Sequence, residues 1–196
     1  MLALILGAVG FVLYFLYDIN SYTKRNLFLS YAFAAGVLLI ASATILQCVQ
    51  AVDANAFSGV VDIVFLITSL LMFFALIYCL FFALPFKETY TKPFSVRKTY
   101  TFGAYAICRH PGVICFFFMY LFLGLAALPT KLITNGMILS ALNIIYAWFQ
   151  DTVTFRKIFC DYEEYTKQVP FLIPTRQSIN RAIKTWGYKC DKGENQ

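Results

Sequence analysis

Along most of its length the chain has neither the alternation of a half-buried strand nor the stripe of an amphipathic helix. It shows uninterrupted apolar runs separated by short polar breaks. The runs cover approximately residues 1–17, 27–52, 60–86, 112–128 and 132–149. A spanning helix needs about 17–25 mostly apolar residues, so the pattern predicts an all-α, polytopic membrane helix bundle of about five transmembrane helices. The first run is at the short limit, yet it has no basic residue ahead of it and no clear small-residue cleavage site, so it reads as a helix and not as a signal peptide. Two longer polar stretches, 87–111 and 150–175, complete a single domain over residues 1–175. The basic segment 176–196 forms a tail. Within it Ile179, Ala182, Ile183 and Trp186 recur at helical spacing while Arg176, Arg181 and Lys184 take other faces. That pattern predicts an amphipathic helix lying on the membrane surface over 176–186.

Composition sharpens this picture. The 196 residues are 60% hydrophobic and 13% charged, with a mean hydropathy of +0.69, against roughly 45–50% apolar and 25% charged in soluble domains. With most of the chain in lipid, too little remains for a separate soluble nucleotide-binding domain, and chemistry has to sit on the bundle itself. The formal charge of +6 is explained by loops facing anionic lipid, so no nucleic-acid partner is expected. Lys24 and Arg25 lie between the first two spans; Lys87, Lys92, Arg97, Lys98 and Arg109 lie between the third and fourth, and eight further basic residues follow the fifth. Lys131 alone falls on the other side. This distribution predicts the amino terminus outside, the carboxyl terminus in the cytoplasm, and a multi-pass protein of the endoplasmic reticulum or, in a bacterium, the inner membrane. The six cysteines form no CxxC pair and the chain has one histidine, so neither a structural metal nor a disulfide framework is expected.

The lone histidine sits in Cys108-Arg109-His110-Pro111-Gly112, at the mouth of the fourth predicted span. By itself this reads as an interfacial cation pair, with Pro111 starting a helix where a missing N–H costs nothing. The wider string, Gly103 to Pro111, follows G-x-Y-x-x-x-R-H-P, and Phe159, Tyr162, Tyr165, Val169, Pro170, Ile173 and Pro174 spell F-x-x-Y-x-x-Y-x-x-x-V-P-x-x-I-P. In these two elements the chain resembles the isoprenylcysteine carboxyl methyltransferase and phospholipid methyltransferase superfamily. The resemblance covers residues 103–174; the first three spans match only as apolar helices.

The resemblance implies an integral membrane methyltransferase that uses S-adenosylmethionine and acts on a lipid or prenylated substrate, its cofactor cradled by cytoplasmic loops and helix ends. It implies cofactor contacts from Tyr105, Arg109, His110, Pro111, Tyr162 and Tyr165, and catalytic roles for Arg109, His110 and Asp151. An arginine fork suits a carboxylate, and a tyrosine face suits a sulfonium or an adenine. A carboxylate acceptor, the favoured class, requires no general base, whereas an amine acceptor has to lose a proton first, with His110 as the candidate base. Arg156, four residues beyond Thr152, is a candidate for a substrate anion. Glu163 and Glu164 read as solvated, and Tyr14, Tyr17, Tyr78, Tyr120 and Tyr146 as interfacial anchors.

The chain departs from the family pattern in two places. Gly112-Val113-Ile114-Cys115 stands where the family has x-Y-x-G after Arg-His-Pro, and Asp151-Thr152 stands where two acids are common. Two alternatives therefore stay open: a sterol-type reductase using NADPH, which shares an Arg-His-Pro stretch, and a degenerate member serving as a membrane scaffold.

Overall fold

The computed structural model describes residues 1–23, 26–83, 97–128 and 130–186; Lys24, Arg25, Lys87, Lys92 and the tail from 187 lie outside the described residues. The described residues are all-helical. Helix α1 (Leu2–Tyr22) leads through a 3-10 turn (Phe28–Tyr31) into α2 (Ala32–Asp53), and α3 (Val60–Ile77) is prolonged by a π turn (Tyr78–Phe82). A short α4 (Ala104–Ile107) precedes α5 (Pro111–Ala126). Then α6 (Leu132–Phe149) runs through a second π turn (Gln150–Thr154) into α7 (Phe155–Ile158), and α8 (Tyr162–Gln168) and α9 (Arg176–Thr185) close the chain.

Among the described residues four helical stretches, Leu2–Tyr22, Phe28–Asp53, Val60–Phe82 and Leu132–Ile158, are long and apolar enough to cross a bilayer. They mark the chain as a membrane protein. The fourth predicted run forms α5, which has 16 residues and measures about 24 Å at 1.5 Å per residue, short of a hydrocarbon core of about 30 Å. Its place is central, packed between α3 and α6, with the Ser69 hydroxyl of α3 donating to the Met119 carbonyl at 2.8 Å.

Lipid tails are as apolar as leucine, so helices in a membrane associate through close backbone packing and buried hydrogen bonds. Both devices occur here. At the α1–α2 crossing two glycines face each other: a Cβ on Gly36 would stand 2.7 Å from the Gly10 carbonyl oxygen, and one on Gly10 would stand 2.9 Å from the Gly36 carbonyl oxygen. The hairpin of α5 and α6 is as tight, since a Cβ on Gly124 would meet the Ile133 Cα at 2.6 Å. Phe11, Ile40, Phe116, Met119, Tyr120, Leu139 and Tyr146 form the core between α1, α2, α5 and α6. Tyr120 and Tyr146 are therefore core residues and not interfacial anchors. Each phenol has found an internal partner: Tyr120 bonds to the Thr44 hydroxyl, and the Tyr146 oxygen accepts from Gln150 Nε2 at 2.8 Å.

Candidate functional site

The polar residues singled out between 103 and 174 meet at one end of the bundle because three local features turn them there. Gly103 has φ of 58°, a left-handed conformation that glycine adopts without a Cβ clash, and it starts the single turn of α4. Extended backbone at Cys108 ends that turn, after which Pro111 opens α5 with His110 as its N-cap. On the facing element the π turn after α6 inserts an extra residue into the helical register. It carries Asp151 and Thr154 inward, so that Asp151 is only 6% exposed.

Arg109 joins the two elements. Its Nε donates to Asp151 Oδ1 at 2.7 Å and its Nη2 to Asp151 Oδ2 at 2.9 Å, a bidentate pair. Nη1 donates to the carbonyls of Thr166 and Val169 at 3.1 and 3.0 Å, leaving a single N–H of the fork uncommitted. The Arg109 backbone N–H also donates to the Pro170 carbonyl at 2.9 Å. Tyr162 adds a hydroxyl donated to Asp151 Oδ1 at 2.6 Å, Tyr165 donates to the Tyr105 carbonyl at 2.8 Å, and Tyr105 donates to the Cys79 carbonyl at 3.1 Å. Burial first, and then the hydrogen bond to the Asp151 carboxylate, push the Tyr162 phenol well above its ordinary range. Tyr162 stays a neutral donor.

His110 is held differently. It is 7% exposed, its ring stacked on Phe155 at 5.8 Å between centroids and edge-on to Phe171 at 5.2 Å. Nε2 stands 3.4 Å from Asp151 Oδ1, an oxygen already serving Arg109 and Tyr162, and it makes no hydrogen bond. Burial lowers the imidazole pKa below 6.5, with Arg109 adding to the effect and Asp151 opposing it. His110 is neutral at pH 7. A histidine whose folded pKa is depressed stabilises the fold fully above its unfolded value near 6.5, and that contribution is lost as pH falls through the folded pKa. His110→Gln should therefore flatten the fall of the thermal unfolding midpoint below about pH 6.5. An unchanged acid limb in that variant would mean that the imidazole is not the group titrating.

The remaining predicted residues lie around this cluster. Arg156 is exposed and lines an open groove with Phe159, Cys160, Tyr162 and three acids, Asp161, Glu163 and Glu164. Tyr162 is 2% exposed, packed among Tyr165, Val169, Phe155 and Phe159, with its hydroxyl on Asp151. Sequence reasoning missed the two rings enclosing His110, Phe155 and Phe171, which no spacing announces. It also missed Asp18, which lies beyond the run read as the first span but inside α1, is buried, and has Gln150 and Tyr146 as side-chain partners. One acid near the end of an apolar helix was the available signal.

No family model, no curated protein and no solved structure matches the chain.

Proposed function

We propose that the chain is an integral membrane methyltransferase that uses S-adenosylmethionine and acts on a lipid or lipid-modified acceptor. The observation that carries this reading is the convergence of two motif segments far apart in sequence. Residues 103–111 and 159–174 meet on Asp151 and bury His110 beside it, its Nε2 3.4 Å from the carboxylate. In this reading α5 also crosses, as the fourth of five spans, and the cluster faces the cytoplasm, the side on which the basic residues gather.

The donor set fits the cofactor in part. Arg109 is already spent on Asp151 and two carbonyls, so it is a positioning residue and not the grip on the methionine carboxylate. The groove beside the cluster supplies part of the matching chemistry: Arg156 for a carboxylate and the Phe159 ring for a sulfonium or an adenine, beside the carboxyl groups of Asp161, Glu163 and Glu164. When bound there, S-adenosylmethionine supplies a sulfonium methyl group. The protein side of the mechanism is to keep water out and the geometry fixed. Phe155 and Phe171 enclose His110, and Arg109 locks the mouth of α5 to the π turn after α6 through Asp151 and to the end of α8 through the Thr166 and Val169 carbonyls. A carboxylate acceptor is already nucleophilic and asks for no base; for an amine acceptor, neutral His110 takes the departing proton at Nε2.

Labelled S-adenosylmethionine should bind saturably to the protein in nanodiscs and be displaced by S-adenosylhomocysteine. Arg156→Ala should weaken that binding roughly tenfold, the scale of one lost hydrogen bond to a charged group, with the fold intact. Absence of saturable binding to folded wild-type protein overturns the reading. A second reading then takes its place, a non-catalytic membrane subunit, favoured by the mutual hydrogen bonding of Arg109, Asp151, Tyr105, Tyr162 and Tyr165.

A further inference from the structure

Helix α9 has three differently occupied faces. Ser178, Ala182 and Thr185 form its inner edge against α4: Ala182 is 2% exposed, and the Gly103 N–H donates to Thr185 Oγ1 at 3.3 Å. The Thr175 and Ser178 side chains cap the amino end reciprocally, at 3.1 and 2.9 Å. Arg181 ties the helix to α8 through the Gln168 carbonyl at 3.2 Å. Next to the inner edge runs an apolar stripe left open among the described residues, Ile179, Ile183 at 68% exposure and Trp186 at 57%. Ile173, just ahead of the helix, is exposed as well. Arg176 and Lys184 flank the stripe on its open side and are exposed.

From this we propose that α9 is a strap seated on an anionic lipid surface, which holds α4 and the Arg-His-Pro segment in place from the membrane side. The occupant follows from charge and setting. Exposed isoleucines and a tryptophan beside two cations match the acyl boundary below anionic headgroups, and the crossing helices of the same chain keep that surface within reach. The inner edge passes the restraint on: α9 holds Gly103 at the start of α4, the turn that carries Tyr105 and leads into Arg109. This inference does not depend on methyl transfer.

The test uses the full chain with Trp148→Phe, so that Trp186 is the single tryptophan, in nanodiscs of phosphatidylcholine alone or with phosphatidylserine, each with lipid brominated on the acyl chain. Trp186 fluorescence should be quenched strongly in the anionic discs and weakly in the neutral ones. Arg176→Gln and Lys184→Gln should each lower the docked-to-undocked ratio about fivefold, the value of one cation near a charged leaflet. Replacing Ile179 and Ile183 together by Gln, which leaves the inner edge intact, should abolish quenching. It should also speed hydrogen exchange at the Tyr105, Ala106 and Arg109 amides, now bonded to the carbonyls of Phe102, Gly103 and Pro170. Equal quenching in both discs, insensitive to the charge changes, overturns the anionic partner. A shielded but unquenched Trp186 places protein over the stripe and overturns the lipid assignment. Lost quenching with unchanged exchange overturns the strap.

Discussion

Asp151→Ala should be the most damaging single substitution in the chain, lowering stability by about 3–5 kcal/mol, the usual cost of stripping one partner from a buried ion pair. The reason lies in what it leaves behind. Arg109 would keep its charge, since a guanidinium does not deprotonate in proteins, and would keep two carbonyl acceptors from Thr166 and Val169 but no counter-charge. Tyr162 would lose the acceptor of its 2.6 Å bond. Asp151→Asn should recover part of the loss, because an amide oxygen still accepts one bond, whereas Arg109→Met combined with Asp151→Leu should be milder than Asp151→Ala alone, as no buried charge is stranded. Unfolding in mixed micelles, followed by far-ultraviolet circular dichroism, gives the order. If the double variant is the least stable of the three, the pair contributes more than its burial costs and the argument fails.

The second large effect is expected far from that cluster, at Gly36. A leucine there has to displace α2 from α1, because the obstacle is the Gly10 carbonyl oxygen at 2.7 Å, a backbone atom that no rotamer change moves aside. Tyr14 stands equally close on the other side, and its ring is stacked on Phe33 at 5.0 Å. Overpacking of this kind costs about 3 kcal/mol for Leu and about 1 kcal/mol for Ala. The same unfolding measurement, run on Gly36→Ala and Gly36→Leu, should show the two steps in that order. Equal stability of the two variants would mean that the helices separate freely, contrary to an interface built on small residues.

The membrane character of the chain was readable in unbroken apolar runs, because the bilayer imposes a length that composition alone reveals. Four of the five runs form helices of that length. The segment 112–128 was apolar enough, but its helix starts at Pro111 and ends at Ala126, and apolarity by itself does not measure a helix. Residues 103–111 and 159–174 stood out through their spelling, yet spelling could not say what each group would touch. Arg109 reads as a fork for a carboxylate, that of a ligand or of Asp151; that the Thr166 and Val169 carbonyls take its remaining arm depends on tertiary approach across as many as 60 residues. The π turn that swings Asp151 inward has no local signature either, since Gln150 to Thr154 are ordinary helix-compatible residues. Tyr120 and Tyr146 were misread for a related reason: 13 tyrosines in one chain favour the interface on average, and only packing tells which two are buried.

The reach of Arg109 has a consequence for how the protein is made. A chain is synthesised from its amino end, so the guanidinium at the mouth of α5 emerges before any of its side-chain acceptors exist. Asp151 follows 42 residues later, and the Thr166 and Val169 carbonyls later still. Until Asp151 emerges a permanent cation waits without its counter-charge, and a copy truncated ahead of that residue keeps it so.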